Sequence, residues 1–336
     1  MKNLKLAIYG YQTDAAKALF SLLEEDKLPI EEIFPLAYNV DEYEAVNILD
    51  KNYGVSNPDD FDFSKCNALL FIGNKGDSEK IIPMAKEEGV IVIDARENND
   101  EEDGVLYHDN LDDEELREAL INQHIIPMNS SATLIASILK PLAVSFGLDR
   151  VNANLMEAVS GLSKDGAGEL ARETIALLNM RSIDPKLFST QIAFNLHTQI
   201  GDYTADGSTT HENELLNQVL NVVGEVKNGI NLTSVVVPVF YGHTLSLNIT
   251  LSNNASIESF KNALKELNTI EIVDDEEITP TTHGVNEDKI FISRIREDKF
   301  LPNNFSLLAV MDNARIGLAS NCLSILKALQ KDEEEL

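Results

Sequence analysis

The feature that most constrains this chain is the alternation of short apolar runs with helix-patterned segments over its first hundred residues. LKLAIY (4–9) reads as a buried strand and runs into AAKALFSLLEE, whose apolar residues recur at helical spacing. EIFPLA (32–37) and ALLFIG (68–73) read as a second and third strand. A helix is predicted from about Ser78 to Glu88, and VIVID (90–94) is a fourth strand. Strands that alternate with helices are joined by right-handed crossovers, which gives a parallel, doubly wound α/β sheet.

A longer helix is predicted after PMNSS. Leu134, Ile135, Ile138, Leu139, Leu142 and Phe146 fall on one face. Ser130 or Ser131 can cap it, Gly147 ends it, and Pro141 should kink it. Beyond about residue 148 the texture changes. RVNANLMEAVS and SVVVPVFYGHTLSLNITLS are rich in β-branched residues, with helices expected near 166–180, 212–224 and 256–267. This pattern predicts an α+β second domain with a large mixed or antiparallel sheet. A last helix, from about Ala314 to Leu329, is expected to pack back on the first domain.

Composition narrows the function classes. The formal net charge is −29 over 336 residues, and residues 96–115 hold ten acidic residues against one Arg. Such a surface repels a phosphate backbone, which argues against nucleic-acid binding. No apolar run reaches membrane-spanning length and the start reads as a strand, so a cytoplasmic protein is expected. Two distant cysteines, Cys66 and Cys322, make neither a disulfide framework nor a zinc site.

Five stretches in order, EAVSGLSKDGAGEL (157–170), QIAFN (191–195), VPVFYGH (237–243), ISRIRED (292–298) and MDNARIGLASN (311–321), resemble the aspartate-semialdehyde dehydrogenase family. Within it the chain is most similar to the Usg-type branch, whose members also lack the catalytic cysteine. The resemblance implies a Rossmann-like NADP-binding domain at residues 1–128 with 312–336 and a catalytic and dimerisation domain at 129–311. It also implies a homodimer, no metal, and an aldehyde oxidoreductase of amino-acid biosynthesis that joins aspartyl phosphate to the semialdehyde through a cysteine thioester and a histidine acid/base.

Several implied site residues are changed. Asn129 is kept, but Ser130 stands where the cysteine belongs, at a helix head that favours a thiolate. His243 matches the acid/base histidine. The glutamine before Ala-Val-Ser-Gly is Glu157. The substrate arginine is Val236, a second anion-binding arginine falls near Asn98 or Asn99 with Arg96 as a substitute, and a lysine aligns with Leu215 while the nearby acid Glu212 remains. The glycine-rich phosphate loop reads G-Y-Q-T-D-A-A (10–16). Gly10 is kept, Thr13 and Ala16 replace later glycines, and Asp14 adds negative charge at the helix start. AYNVDEYE (37–44) holds no base to select NADP. Gly73 and Asn313, expected near the phosphates and the nicotinamide, remain.

Three functions compete. The first is a dimeric homologue that keeps the scaffold but has a different ligand or partner. The second is an active NAD(P)-dependent oxidoreductase of changed specificity that uses Ser130 and His243. The third is a subunit that pairs with an active paralogue.

Overall fold

The computed structural model describes residues 4–38, 44–96, 104–107, 119–162 and 165–330, except for the side chain of Asp14. The chain divides into two compact units, residues 1–128 with 318–336, and residues 129–317.

The first unit holds β1 (Leu4–Tyr9), α1 (Asp14–Asp26), β2 (Ile30–Leu36), β3 (Ala45–Ile48), β4 (Lys51–Gly54), β5 (Ala68–Phe71), α2 (Lys75–Glu87), β6 (Ile91–Asp94), β7 (Val105–Tyr107) and β8 (His124–Pro127). Its six-stranded sheet has the order β2-β1-β5-β6-β8-β7, and every pairing in it is parallel. The central strand β5 is apolar throughout and buried, and β1 and β6 are apolar but for Lys5 and Asp94, because both faces of the sheet are covered. Leu6 and Ile8 of β1 join Leu19 and Leu23 of α1 and Ile325 and Leu326 of the last helix. Ala7 points the other way, toward Ile81, Ile82 and Ala85 of α2. The strand order reverses between β1 and β5, and in a sheet of this kind ligands bind at that switch point, beyond the carboxyl ends of the strands.

The second unit holds α3 (Ser130–Phe146), β9 (Leu148–Ala158), α4 (Gly166–Leu178), α5 (Thr210–Val223), β10 (Ile230–Val237), β11 (His243–Leu251), α6 (Ile257–Lys265), β12 (Ile270–Ile272), α7 (Pro280–His283), β13 (Ile290–Glu297) and β14 (Asn304–Met311). The last helix of the chain, α8 (Ser320–Gln330), belongs to the first unit. The second sheet, β10-β9-β11-β14-β13-β12, is mixed: β10–β9 and β12–β13 are parallel, the other pairings antiparallel. His243, Leu245, Leu247, Ile249 and Leu251 alternate inward along β11, the period-two pattern of a half-covered sheet. Helix α3 packs against α5, α6, β9 and β11.

Three sequence-derived expectations are corrected. Neither serine caps α3. Asn129 does, its Oδ1 accepting from Ser131 N at 2.7 Å. Helix α2 begins at Lys75 because Asn74 caps it. The last helix begins at Ser320 rather than near Ala314, since Ile316 and Gly317 are non-helical. There the chain turns on Asp312, whose Oδ1 accepts from Ala314 N at 2.8 Å and Arg315 N at 3.2 Å.

Candidate functional site

The head of α3 is built around a buried carboxylate. Glu157, near the end of β9, is 1% exposed. Its Oε2 accepts from Ser131 Oγ at 2.9 Å, and its Oε1 accepts from His211 Nε2 at 2.7 Å and from Ser234 Oγ. Burial opposes ionisation. The hydrogen bond and charge of His211, then the charge of His243 and the Ser234 hydroxyl, prevail and hold the carboxyl at about 2. The anion therefore sits beside the positive end of α3. Ser131 is the serine tied to it, whereas Ser130 is the first residue of the helix, partly buried, against Gly317.

His243 opens β11 and is fully buried. Its Nδ1 accepts from Ala158 N at 3.1 Å, so the proton of the neutral ring is on Nε2. That nitrogen has no hydrogen-bond partner among the described residues, and Glu157 Oε2 lies 3.8 Å away. Burial pushes the imidazole down to about 4, against the pull of Glu157 and with a further push from His211. The ring lies on Gly161, where a Cβ would come within 2.7 Å of Nε2. Asn313 joins the same cluster, its Oδ1 accepting from Gly242 N at 2.9 Å and its Nδ2 donating to Ser160 Oγ at 3.1 Å.

The second unit thus brings Glu157, His243 and Asn313 together. His211, Ser131 and Ser234 complete the group; sequence singled out neither His211 nor Ser234, and Ser131 only as a cap. Their only signal is polar residues beside a helix start and within an otherwise β-branched strand.

The expected anion-binding positions have become structural. Val236 is 1% exposed in an apolar cluster with Val159, Leu170, Ile192 and Ala193. Leu215 is fully buried. Both oxygens of Glu212 are used, by Thr209 N and by Ser234 N. In the first unit Arg96 is turned inward, with Nε on Asp94 Oδ2 at 2.9 Å and a terminal nitrogen on Ser78 Oγ at 2.7 Å. Asn98, Asn99 and the acidic run 97–103 lie outside the described residues.

Gly10, Thr13 and Gly73 lie in the first unit, at the switch point. Gly10 has φ +87°, and a Cβ there would collide with the Ile72 carbonyl. Thr13 caps α1: Oγ1 donates to Gly10 O at 2.9 Å and accepts from Ala16 N at 3.2 Å. Its own N–H donates to Gly10 O at 3.0 Å. Two N–H groups at the helix head are thereby consumed inside the loop, and Ala16 is fully buried. A Cβ on Gly73 would come within 2.9 Å of the Tyr9 ring.

Comparison with known proteins fits this architecture. The semialdehyde dehydrogenase dimerisation domain matches residues 139–316. An aspartate-semialdehyde dehydrogenase of Rickettsia bellii is 30% identical over 335 residues, 98% of each chain. The chain belongs to the aspartate-semialdehyde dehydrogenase family. A crystal structure of aspartate semialdehyde dehydrogenase II from Vibrio cholerae, complexed with ASA, superposes with a TM-score of 0.92 at 29% identity, over 99% of this chain and 100% of that one. A USG-1 protein homolog of Pseudomonas aeruginosa is 27% identical over 330 residues, 98% of each chain. In this family member the helix head that the resemblance assigns to a thiolate carries a hydroxyl and, beside it, a carboxylate of the chain itself.

Proposed function

We propose that this chain is a homodimeric, cytoplasmic member of the family that keeps its scaffold and does not run the phosphate-dependent semialdehyde reaction. It belongs to the branch without the cysteine and serves another small ligand or a protein partner. Neither nucleic acid nor membrane is among its partners. The observation that carries this reading is the carboxylate of Glu157 fixed at the head of α3, next to a serine where the thioester chemistry requires a cysteine. A hydroxyl is far less acidic than a thiol, and each pKa unit adds about 1.4 kcal/mol to the free energy of forming the anion. The neighbouring anion opposes a second negative charge, and Val236 and Leu215 offer no cation to a dicarboxylate or a phosphate.

The dimer is supported by the match to a dimerisation domain and by exposed apolar residues of the same unit, among them Leu178, Met180, Phe194, Tyr203 and Phe240. No helix among the described residues is long and apolar enough to cross a membrane.

Purified protein given aspartate semialdehyde, phosphate and NADP is expected to form no NADPH. Turnover that disappears in His243→Ala would refute the proposal. Ser130→Cys alone is expected to stay inactive, because the thiol would gain neither the substrate cation nor relief from the Glu157 charge. Robust rescue by that single change would show that the binding losses do not matter.

One observation favours a second reading. The Nε2–H of the neutral His243 ring, with no hydrogen-bond partner among the described residues, is what a donor to a substrate oxygen presents. An NAD(P)-dependent oxidoreductase of changed specificity, using Ser130 and His243 on a substrate without a carboxylate, would account for its retention.

A further inference from the structure

The family is NADP-dependent, and the first unit disagrees with that cofactor at one place. At a switch point of this kind, residues just past the second strand read the adenosine ribose. A carboxylate there accepts from the 2′-hydroxyl of NAD, and a base there pairs with the 2′-phosphate of NADP.

Here β2 ends at Leu36, and Tyr38 follows two residues later. The Tyr38 hydroxyl donates to Asp59 Oδ1 at 3.0 Å. Tyr38 lies edge-on to Tyr9, centroids 6.0 Å apart. Tyr9, the last residue of β1 before Gly10, donates from its hydroxyl to Asp77 Oδ2 at 2.7 Å. Asp77 is in the first turn of α2, just past β5. Two tyrosines and two carboxylates thus form one belt along the carboxyl ends of β2, β1 and β5, the three strands that flank Gly10. Burial and the adjoining aspartates push the Tyr38 hydroxyl up to about 12 and raise that of Tyr9 further, so both hydroxyls remain donors to the carboxylates.

Among the described residues, Lys80 stands against this belt, with Nζ 5.9 Å from the Tyr38 ring centroid. One ammonium over a ring face does not supply the forked donors that a phosphate monoester of about −1.5 to −2 charge calls for.

We infer that the crevice at Gly10 rejects a 2′-phosphate and that the dinucleotide it takes is NAD, with Asp59 and Asp77 as the residues that discriminate. The pyrophosphate is common to NAD and NADP, so the tightened Thr13 loop weakens both without choosing between them. The inference rests on the retained crevice and is separate from the loss of dehydrogenase chemistry, because it is read by binding rather than turnover.

Isothermal titration calorimetry of the full chain with NAD and with NADP, each to about 10 mM, is the test, with AMP and adenosine 2′,5′-bisphosphate as fragment probes. NAD is expected to bind at least about tenfold more tightly than NADP, and AMP more tightly than the bisphosphate. Asp59→Arg, at an exposed position, is expected to bring the ratio to about one or below while circular dichroism stays unchanged. Asp77→Asn is expected to narrow it. Lys80→Ala is expected to leave it standing. Equal or tighter binding of NADP, no binding of either nucleotide, or a preference that Asp59→Arg and Asp77→Asn both leave unmoved would each overturn the inference.

Discussion

Replacement of Glu157 by alanine is expected to destabilise the protein by about 3–5 kcal/mol, the cost of removing one member of a buried, hydrogen-bonded charge cluster. Three donors lose their acceptor at once: Ser131 Oγ, Ser234 Oγ and His211 Nε2. Ser131 and Ser234 are buried and cannot reach water without rearranging the head of α3 or β10, whereas His211 is partly exposed. Glu157→Gln keeps the shape and one acceptor oxygen but turns an NH2 group toward donors, so a cost of about 1–2 kcal/mol is expected. Glu276, exposed and paired with His283 at 3.3 Å, is the control. Its loss should change stability by no more than about 0.5 kcal/mol. Urea unfolding at fixed protein concentration measures all three, and a Glu157→Ala value as small as the control would show that the cluster contributes nothing to stability.

The same cluster sets an acid limit on stability. His243 is held near 4 in the folded chain against 6.5 ordinarily, so the unfolded chain takes up that proton first. Its contribution is complete above pH 6.5 and is lost as pH falls from 6.5 through 4. Glu157 is held near 2 against 4.5 ordinarily. Its contribution is complete above pH 4.5 and is lost as pH falls from 4.5 through 2. Both groups act in the same direction, at about 1.4 kcal/mol per pKa unit. Stability should therefore begin to fall below pH 6.5 and continue to fall to about 2. Glu157→Gln should remove the lower part of the decline. In that variant the His243 ring, deprived of the neighbouring charge that raises it, should titrate below the wild-type value when followed by NMR.

The second large effect is expected at Gly317. This residue has φ +93°, and a Cβ would stand 2.8 Å from Ser130 Cβ and 3.0 Å from Ser130 N. The neighbour is helix backbone, which cannot turn aside as a flexible side chain could. Gly317→Ala thus combines a left-handed conformation that costs an L residue roughly 1–2 kcal/mol with overpacking worth about 1–3 kcal/mol. A loss of about 3 kcal/mol is expected in urea unfolding, together with displaced amide resonances for Ser130 and Ser131. Gly207, also at positive φ (+89°) but facing open space, should show only the conformational part when changed to Ala. Equal losses at the two glycines would mean that close approach to α3 is unimportant.

Much of the fold could be read before any coordinates. A parallel strand buried on both faces must be largely apolar, and ALLFIG is throughout, while LKLAIY and VIVID are but for Lys5 and Asp94. A half-covered strand must alternate, and HTLSLNITL does. Helix ends were less legible. Asn129, Ser130 and Ser131 are comparably good caps, and local chemistry does not say which one the turn selects. The hairpin of β3 and β4 escaped notice because its turn residues, Leu49 and Asp50, carry positive φ without a glycine to announce it. Of the candidate site positions, those tied to one local motif, such as Gly10 and Thr13 in a single loop, could be discussed from sequence. The environment of Glu157 could not. The sequence places Glu157 where the resemblance has a glutamine, and only the fold shows both of its oxygens taken up by the chain itself.

What the sequence determined by itself is chemical identity at aligned places, a hydroxyl at position 130, a valine at 236 and a carboxylate at 157, and a parallel sheet implied by strands that alternate with helices. What tertiary structure alone decided is what these groups touch. Ser131, His211 and Ser234 lie 26, 54 and 77 residues from Glu157 along the chain, beyond the reach of any helical or strand period. They meet because β9, β10, α3 and α5 pack around one point. A hydrogen bond depends on a few tenths of an ångström between atoms, and only the packed core fixes positions that finely.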